Sequence, residues 1–121
     1  GQSGGAVYAL NIAMLESQYF ACVAVHAGAW RKPEEFQFMN YAERRIPAMI
    51  VVGSIDQYFS MQSIRQTEDA LKSKGFPITI NVMEGYRHAY DERVAPEVNG
   101  MAWGMFKDCV LDQPPIFAEI R

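Results

Sequence analysis

Apolar and polar positions alternate along the chain in blocks whose periods predict helices and strands. From Gly4 to Gln18, Val7, Leu10, Ile12, Met14 and Leu15 recur at nearly helical spacing among good helix formers, which predicts a helix that begins at once. Phe20 to Val25 is a short continuous apolar run, as expected of a parallel strand covered on both faces, and Ala48 to Val52, after Pro47, is a second. Pro77 to Met83, with Ile78, Ile80 and Val82 alternating, predicts a third strand. Between the second and third, Ser60 is placed to cap a helix whose inner face carries Met61, Ile64, Ala70 and Leu71 and which stops at Gly75. A last helix keeps Val94, Val98, Met101, Ala102, Met105, Phe106 and Cys109 on one stripe, with Pro96 acceptable only in its first turn. The stretch from Ala27 to Asn40 is the one long connection, and the tail from Asp112 through Pro114 and Pro115 is expected to be irregular. Strands alternating with helices in this way build an α/β parallel sheet flanked by helices, with right-handed crossovers.

Composition narrows the reading without changing it. The chain has 121 residues, 50% hydrophobic and 21% charged, which suits one ordinary globular domain. A formal charge of -3, with both signs interspersed, gives no footprint for a phosphate backbone or an anionic lipid surface, so neither nucleic acid nor membrane is an expected partner. No apolar run approaches the roughly 18 residues of a membrane span. Two cysteines, Cys22 in an apolar run and Cys109 in a helical pattern, lack metal-ligand spacing and are too few for a disulfide framework, so both are expected as buried free thiols.

Gly1-Gln2-Ser3-Gly4-Gly5 has the form G-x-S-x-G, in which a tight strand-to-helix turn lifts a serine hydroxyl clear of the backbone and the glycines make room. Three fixed residues should occur by chance in about one chain in thirty of this length, so the helix that follows at once is what gives the motif weight. A serine hydroxyl is a poor nucleophile at neutral pH and needs a base, which in turn needs a third group to hold its tautomer. His88 lies in Gly85-Tyr86-Arg87-His88-Ala89-Tyr90, the loop after the third strand, where residues project from the carboxyl edge of a parallel sheet. His26 ends the first strand, where a hydrogen-bonded structural role is the commoner one, and it stays a rival base. Asp56 follows the second strand in Val52-Gly53-Ser54-Ile55-Asp56, again at the carboxyl edge, although a turn aspartate would look the same. Glu84 and Asp91 are rival acids whose closeness to His88 in sequence fits shaping of its loop.

Ser3, Asp56 and His88 stand in the chain order Ser, Asp, His, and on these residues the chain resembles the C-terminal half of α/β-hydrolases, especially the dienelactone hydrolase, polyhydroxybutyrate depolymerase and feruloyl esterase branches. The resemblance spans nearly the whole chain: the elbow falls on Gly1 to Gly5, the G-x-x-D turn on Gly53 to Asp56 and the histidine loop on Gly85 to Tyr90. It implies the C-terminal three-strand portion of an α/β-hydrolase sheet, with residues 1–121 the C-terminal part of a single domain whose N-terminal strands are absent. It also implies Ser3 as nucleophile, His88 as general base and then acid, Asp56 as orienting acid, and the Gly4 N–H as half of an oxyanion hole whose other donor comes from an earlier loop.

The expected activity is hydrolysis of a small-molecule carboxylic ester through an acyl-enzyme, with no metal and no cofactor. A peptidase of the prolyl-oligopeptidase kind shares fold and triad order, and an inactive fragment or assembly module is the reading from another class. Trp30, Phe36, Phe38, Tyr58, Phe59 and Tyr90 are candidates for a substrate pocket or, more commonly, for core and interface. About twenty residues between the first two strands are too few for a folded lid. Finally, Phe20 to Val25 carries no charge and no proline, so as an open edge it should self-associate or pair with the missing N-terminal segment.

Overall fold

The computed structural model describes residues 1–90 and 92–110. Helix α1 (Gly4–Leu15) leads into strand β1 (Val23–His26), and a connection holding a short helix α2 (Pro33–Phe36) and a 3-10 turn (Gln37–Tyr41) leads to β2 (Ala48–Gly53). Helix α3 (Met61–Ser73), strand β3 (Ile78–Met83) and helix α4 (Val94–Phe106) complete the order. The strands form one parallel sheet in the order β1-β2-β3, with Val23 opposite Ala48 and Ala48 opposite Ile78. The anticipated parallel α/β architecture is therefore the observed one.

β2 is buried along its whole length because it lies in the middle and is covered on both faces. Its side chains alternate with period two. Ala48, Ile50 and Val52 join the main core with Leu10, Met14, Trp30, Ile64 and Leu71, while Met49 and Val51 meet Met83, Val94 and Val98 beneath α4. Ser60 caps α3 as expected, its Oγ accepting the Ser63 N–H at 3.2 Å, and Gly75 follows the helix at φ 86°.

Three expectations need correction. β1 begins at Val23 rather than Phe20, and Phe20 is exposed. The first ladder bond runs from Val23 N–H to the Pro47 carbonyl, and Pro47, having no N–H, cannot extend the parallel ladder backwards. Helix α4 ends at Phe106, so Cys109 lies beyond it. Neither cysteine is a free thiol: Cys22 and Cys109 form a disulfide across 87 residues, with Cα atoms 6.2 Å apart, in the usual range. By loop entropy, such a closure stabilises the folded chain by on the order of 4 kcal/mol. The tail from Asp112 onward lies outside the described residues.

The free side of β1 is also less bare than its composition suggests. The His26 N–H donates to the Gly1 carbonyl at 2.8 Å, the Ser3 N–H donates to the His26 carbonyl at 2.9 Å, and the Gly1 nitrogen reaches the Ala24 carbonyl at 3.3 Å. Gln2 thus bridges His26 in parallel fashion and covers the carboxyl end of this edge.

Where β2 ends, its backbone runs against the loop after β3. A Cβ on Gly53 would fall inside contact distance of the Tyr86 carbonyl, and that carbonyl also accepts the Ile55 N–H at 3.1 Å. Gly53→Ala should therefore lower the unfolding free energy by about 1 to 3 kcal/mol, as overpacking against backbone does. Urea unfolding measures this; a change under about 0.5 kcal/mol would mean that the two loops separate freely.

Candidate active site

Ser3 occupies the turn into α1 with φ 57° and ψ -121°, a conformation that L-residues rarely adopt and that strained elbows impose. Close packing makes Gly1 obligatory, because a Cβ there would meet the Gly5 carbonyl. Gly5 has open space instead, so of these two motif glycines only the first answers to crowding. The Gly4 N–H, at the first position of α1, has no acceptor among the described residues. It is one of the orphan donors that every helix start presents, carrying the positive end of the helix dipole.

Asp56 sits in the turn after β2, its side chain fully buried. Its Oδ1 accepts the N–H groups of Tyr58 and Phe59, both at 2.8 Å, which is how an aspartate folds the backbone after it. This turn is stitched to the loop carrying His88 at several points. The Ser54 N–H donates to the Met83 carbonyl at 3.0 Å, the Gly85 N–H to Ser54 Oγ at 2.8 Å, and the His88 N–H to Gln57 Oε1 at 3.1 Å. Ser54 and Gln57 carried no signal in the sequence, since a polar side chain in a turn has many partners to choose from.

These contacts bring the three expected residues together. Ser3 Oγ lies 2.7 Å from His88 Nε2, and His88 Nδ1 lies 2.7 Å from Asp56 Oδ2. A carboxylate only accepts, so the imidazole proton belongs on Nδ1 and Nε2 is left to accept the serine hydroxyl. Glu84 is exposed and is not among the partners of His88; Asp91 lies outside the described residues.

The cleft in front of Ser3 has a volume of about 500 Å³ and is walled by Gly4, Arg31, Tyr58, Phe59 and His88. The aromatic candidates divide. Trp30 is core, its indole N–H donating to Asn11 Oδ1 at 2.9 Å and its ring meeting Phe36 edge-on. Phe38 packs on the same core. Tyr58 and Phe59 flank the histidine, with Tyr58 62% exposed. Tyr90 lies 5.7 Å from His26 instead.

His26 is 2% exposed, and neither of its ring nitrogens has a hydrogen-bond partner among the described residues. The expectation of a hydrogen-bonded structural side chain is not met; what His26 contributes is its backbone, which anchors Gly1 and Ser3. Burial holds its pKa below the usual histidine value, helped by His88 and opposed by Asp56. Between that lowered value and about 6.5, the unfolded chain binds a proton that the folded one refuses, so stability falls as the pH drops through this window. The slope from one such group reaches at most about 1.4 kcal/mol per pH unit. Since no side-chain hydrogen bond is lost, His26→Phe should narrow the gap between urea midpoints at pH 7.5 and pH 5, and an unchanged gap would exclude His26 as its source.

A serine at a strained turn into a helix, an acid after one parallel strand and a histidine after the next are the arrangement of the α/β-hydrolase class. The model of the dienelactone hydrolase family matches residues 3–106, and the chain belongs to that family. No curated protein sequence gives a significant match. Among solved structures, SOBER1 of Arabidopsis thaliana superposes with a TM-score of 0.71 at 16% identity, covering 88% of this chain and 50% of that one. Esterase PE8 gives 0.67 at 17% identity, covering 91% and 48%. The acyl-protein thioesterase 2 of Zea mays gives 0.63 at 19%, covering 86% and 53%. At these identities the likeness is one of fold, and the chain spans about half the length of the structures it resembles.

Proposed function

We propose that this chain carries the reacting groups of a serine hydrolase that cleaves carboxylic esters through an acyl-enzyme. The observation that carries the reading is the unbroken line from Ser3 Oγ through His88 to Asp56, with both contacts at 2.7 Å and the Gly4 N–H unengaged beside it. His88 Nε2 takes the proton of Ser3 as its oxygen attacks the ester carbonyl, and Asp56 stabilises the imidazolium that forms. The carbonyl oxygen, now an anion, accepts from Gly4 N–H. His88 then gives its proton to the leaving alcohol, and water, activated in the same way, releases the acyl group from Ser3. The attack and both proton transfers use groups of this chain and call on neither metal nor cofactor. Membership of the dienelactone hydrolase family and the esterase and thioesterase named among the structural neighbours support an acyl ester over a peptide as substrate.

Labelling with a fluorophosphonate probe tests this directly. Covalent modification at Ser3, lost in Ser3→Ala and His88→Ala, is the expected result, and no labelling in a protein that turns over esters would refute it.

We further infer that residues 1–121 form the C-terminal part of one domain and that the remaining edge of β1 is covered by a further parallel strand. That strand belongs to preceding polypeptide or, for the isolated chain, a second copy. Tyr8 (67% exposed) and Phe20 (42% exposed) line an apolar groove beside this edge. The same polypeptide would supply the second oxyanion donor. Sedimentation of the isolated chain at micromolar concentration should show self-association; a monomer that hydrolyses esters unaided would overturn the inference.

A further inference from the structure

The base is held by more than the acid. Phe59, buried, stacks on the His88 imidazole with an interplanar angle of 25° and a centroid distance of 5.9 Å, and Tyr58 meets the same ring edge-on at 4.9 Å. The backbone N–H groups of these two residues are tied to Asp56. Phe59 also packs into the main core, and both residues are attached to Arg31, which comes from the loop after β1. Its guanidinium lies 4.3 Å from the centroid of Phe59, and its Nη1 donates to the Tyr58 carbonyl at 3.2 Å. Arg31 is itself steadied through Glu35, whose Oε1 accepts the N–H groups of Arg31 at 3.0 Å and Lys32 at 2.8 Å.

On the reading of Ser3, Asp56 and His88 given above, we propose that Arg31 is a positioning residue for the base, acting through Phe59 and Tyr58. Asp56 fixes the imidazole from the Nδ1 side, and the contact that Ser3 makes at Nε2 is given up as Ser3 attacks, which leaves one hydrogen bond about which the ring can swing. The two aromatic rings remove that freedom only while they are themselves fixed. Phe59 is held by core packing but has no polar side-chain group to fix its tilt, and Tyr58 is largely exposed. A guanidinium is suited to this task because it is planar, stays charged, and can lie on a ring while its edge donates to a carbonyl. Lysine offers a charge for the ring or a donor for the carbonyl, and its compact ammonium serves both less well. The link also joins the loop after β1 to the turn after β2, so the nucleophile's neighbour strand and the acid's strand share one clamp.

The test uses the protein expressed with any natural flanking sequence and two readouts, steady-state hydrolysis of p-nitrophenyl butyrate and the rate of fluorophosphonate labelling. Arg31→Ala should lower kcat and the labelling rate by about tenfold to a hundredfold, the scale of effect of a misplaced catalytic group, with KM within about twofold. Arg31→Lys should restore part of the loss. Phe59→Leu should mimic Arg31→Ala, and the double variant should lose no more than the worse single, since both act through one contact. Additive losses, or a kcat unchanged in Arg31→Ala, would overturn the proposal. So would a rise in KM confined to carboxylate-bearing esters with kcat retained, which would make Arg31 an anion contact instead. If Arg31→Ala fails to fold, Arg31→Lys and Phe59→Leu decide alone, and wild-type kcat in both overturns the proposal. Absence of labelling in the unaltered protein overturns the serine-hydrolase reading together with this one, whereas normal labelling with an indifferent Arg31→Ala overturns only this one.

Discussion

Replacing Ser3 by alanine should lower ester turnover by roughly three to six orders of magnitude and abolish fluorophosphonate labelling, while leaving the fold intact. The side chain of Ser3 has His88 as its hydrogen-bond partner, and what holds the elbow is backbone: Ser3 N–H on His26, Gly5 N–H on the Gln2 carbonyl and Ala6 N–H on the Ser3 carbonyl. None of these is altered by removing the hydroxyl. His88→Ala should cost nearly as much, because a hydroxyl with no base to take its proton is an inert nucleophile. The double variant should be no worse than either single, since the two residues act as a unit. Stopped assays on a short p-nitrophenyl ester give all three rates. A loss under tenfold for His88→Ala would reopen the base assignment, and His26 is then the histidine to test, although its ring makes no hydrogen bond to Ser3.

Which parts of this arrangement could be read from the sequence follows from what each part depends on. The elbow, the acid turn and the histidine loop are local, and their order along the chain reports the topology of a parallel sheet, so Ser3, Asp56 and His88 stand out even though no one of them would alone. α3 is legible for the same reason: Ser60, its apolar face and Gly75 are neighbours in sequence. What escaped depends on contacts between distant segments. The disulfide joins residues 87 apart, and nothing in the spacing of two cysteines shows that the end of α4 returns to the entry of β1. The start of β1 is displaced by Pro47, the residue just before the partner strand. Arg31 looks like any surface arginine until the fold sets it over Phe59, and His26 looks like a hydrogen-bonded residue until burial leaves its ring nitrogens without such a partner among the described residues. The pattern of hydrophobic positions thus carries the sheet and its order, while the groups that tune the site are fixed only by packing across it.

Asp56→Asn should be almost as damaging as loss of the base, by roughly four orders of magnitude, and the surroundings of the side chain explain why the substitution has no harmless orientation. Asp56 spends its two oxygens on different tasks: Oδ1 accepts two backbone N–H groups, from Tyr58 and Phe59, and Oδ2 accepts from His88 Nδ1. Asparagine has one oxygen and one NH₂. If the oxygen faces His88, the NH₂ points at two N–H donors in a buried turn, leaving them unpaired at about 1 to 3 kcal/mol each. The favoured orientation therefore keeps the oxygen on the turn and aims the NH₂ at Nδ1. That donor selects the tautomer in which Nδ1 accepts and Nε2 carries the proton, so Nε2 can no longer accept from Ser3, 2.7 Å away. The turn survives, the distances survive, and the base is held in the wrong state. The expected result is thus a protein with near-normal thermal stability, near-normal substrate binding and a kcat close to background, partly recovered at alkaline pH as hydroxide substitutes for the missing base. A loss of less than about tenfold, with stability retained, would show that Asp56 is a turn residue and that another carboxylate, Glu84 or Asp91, orients His88.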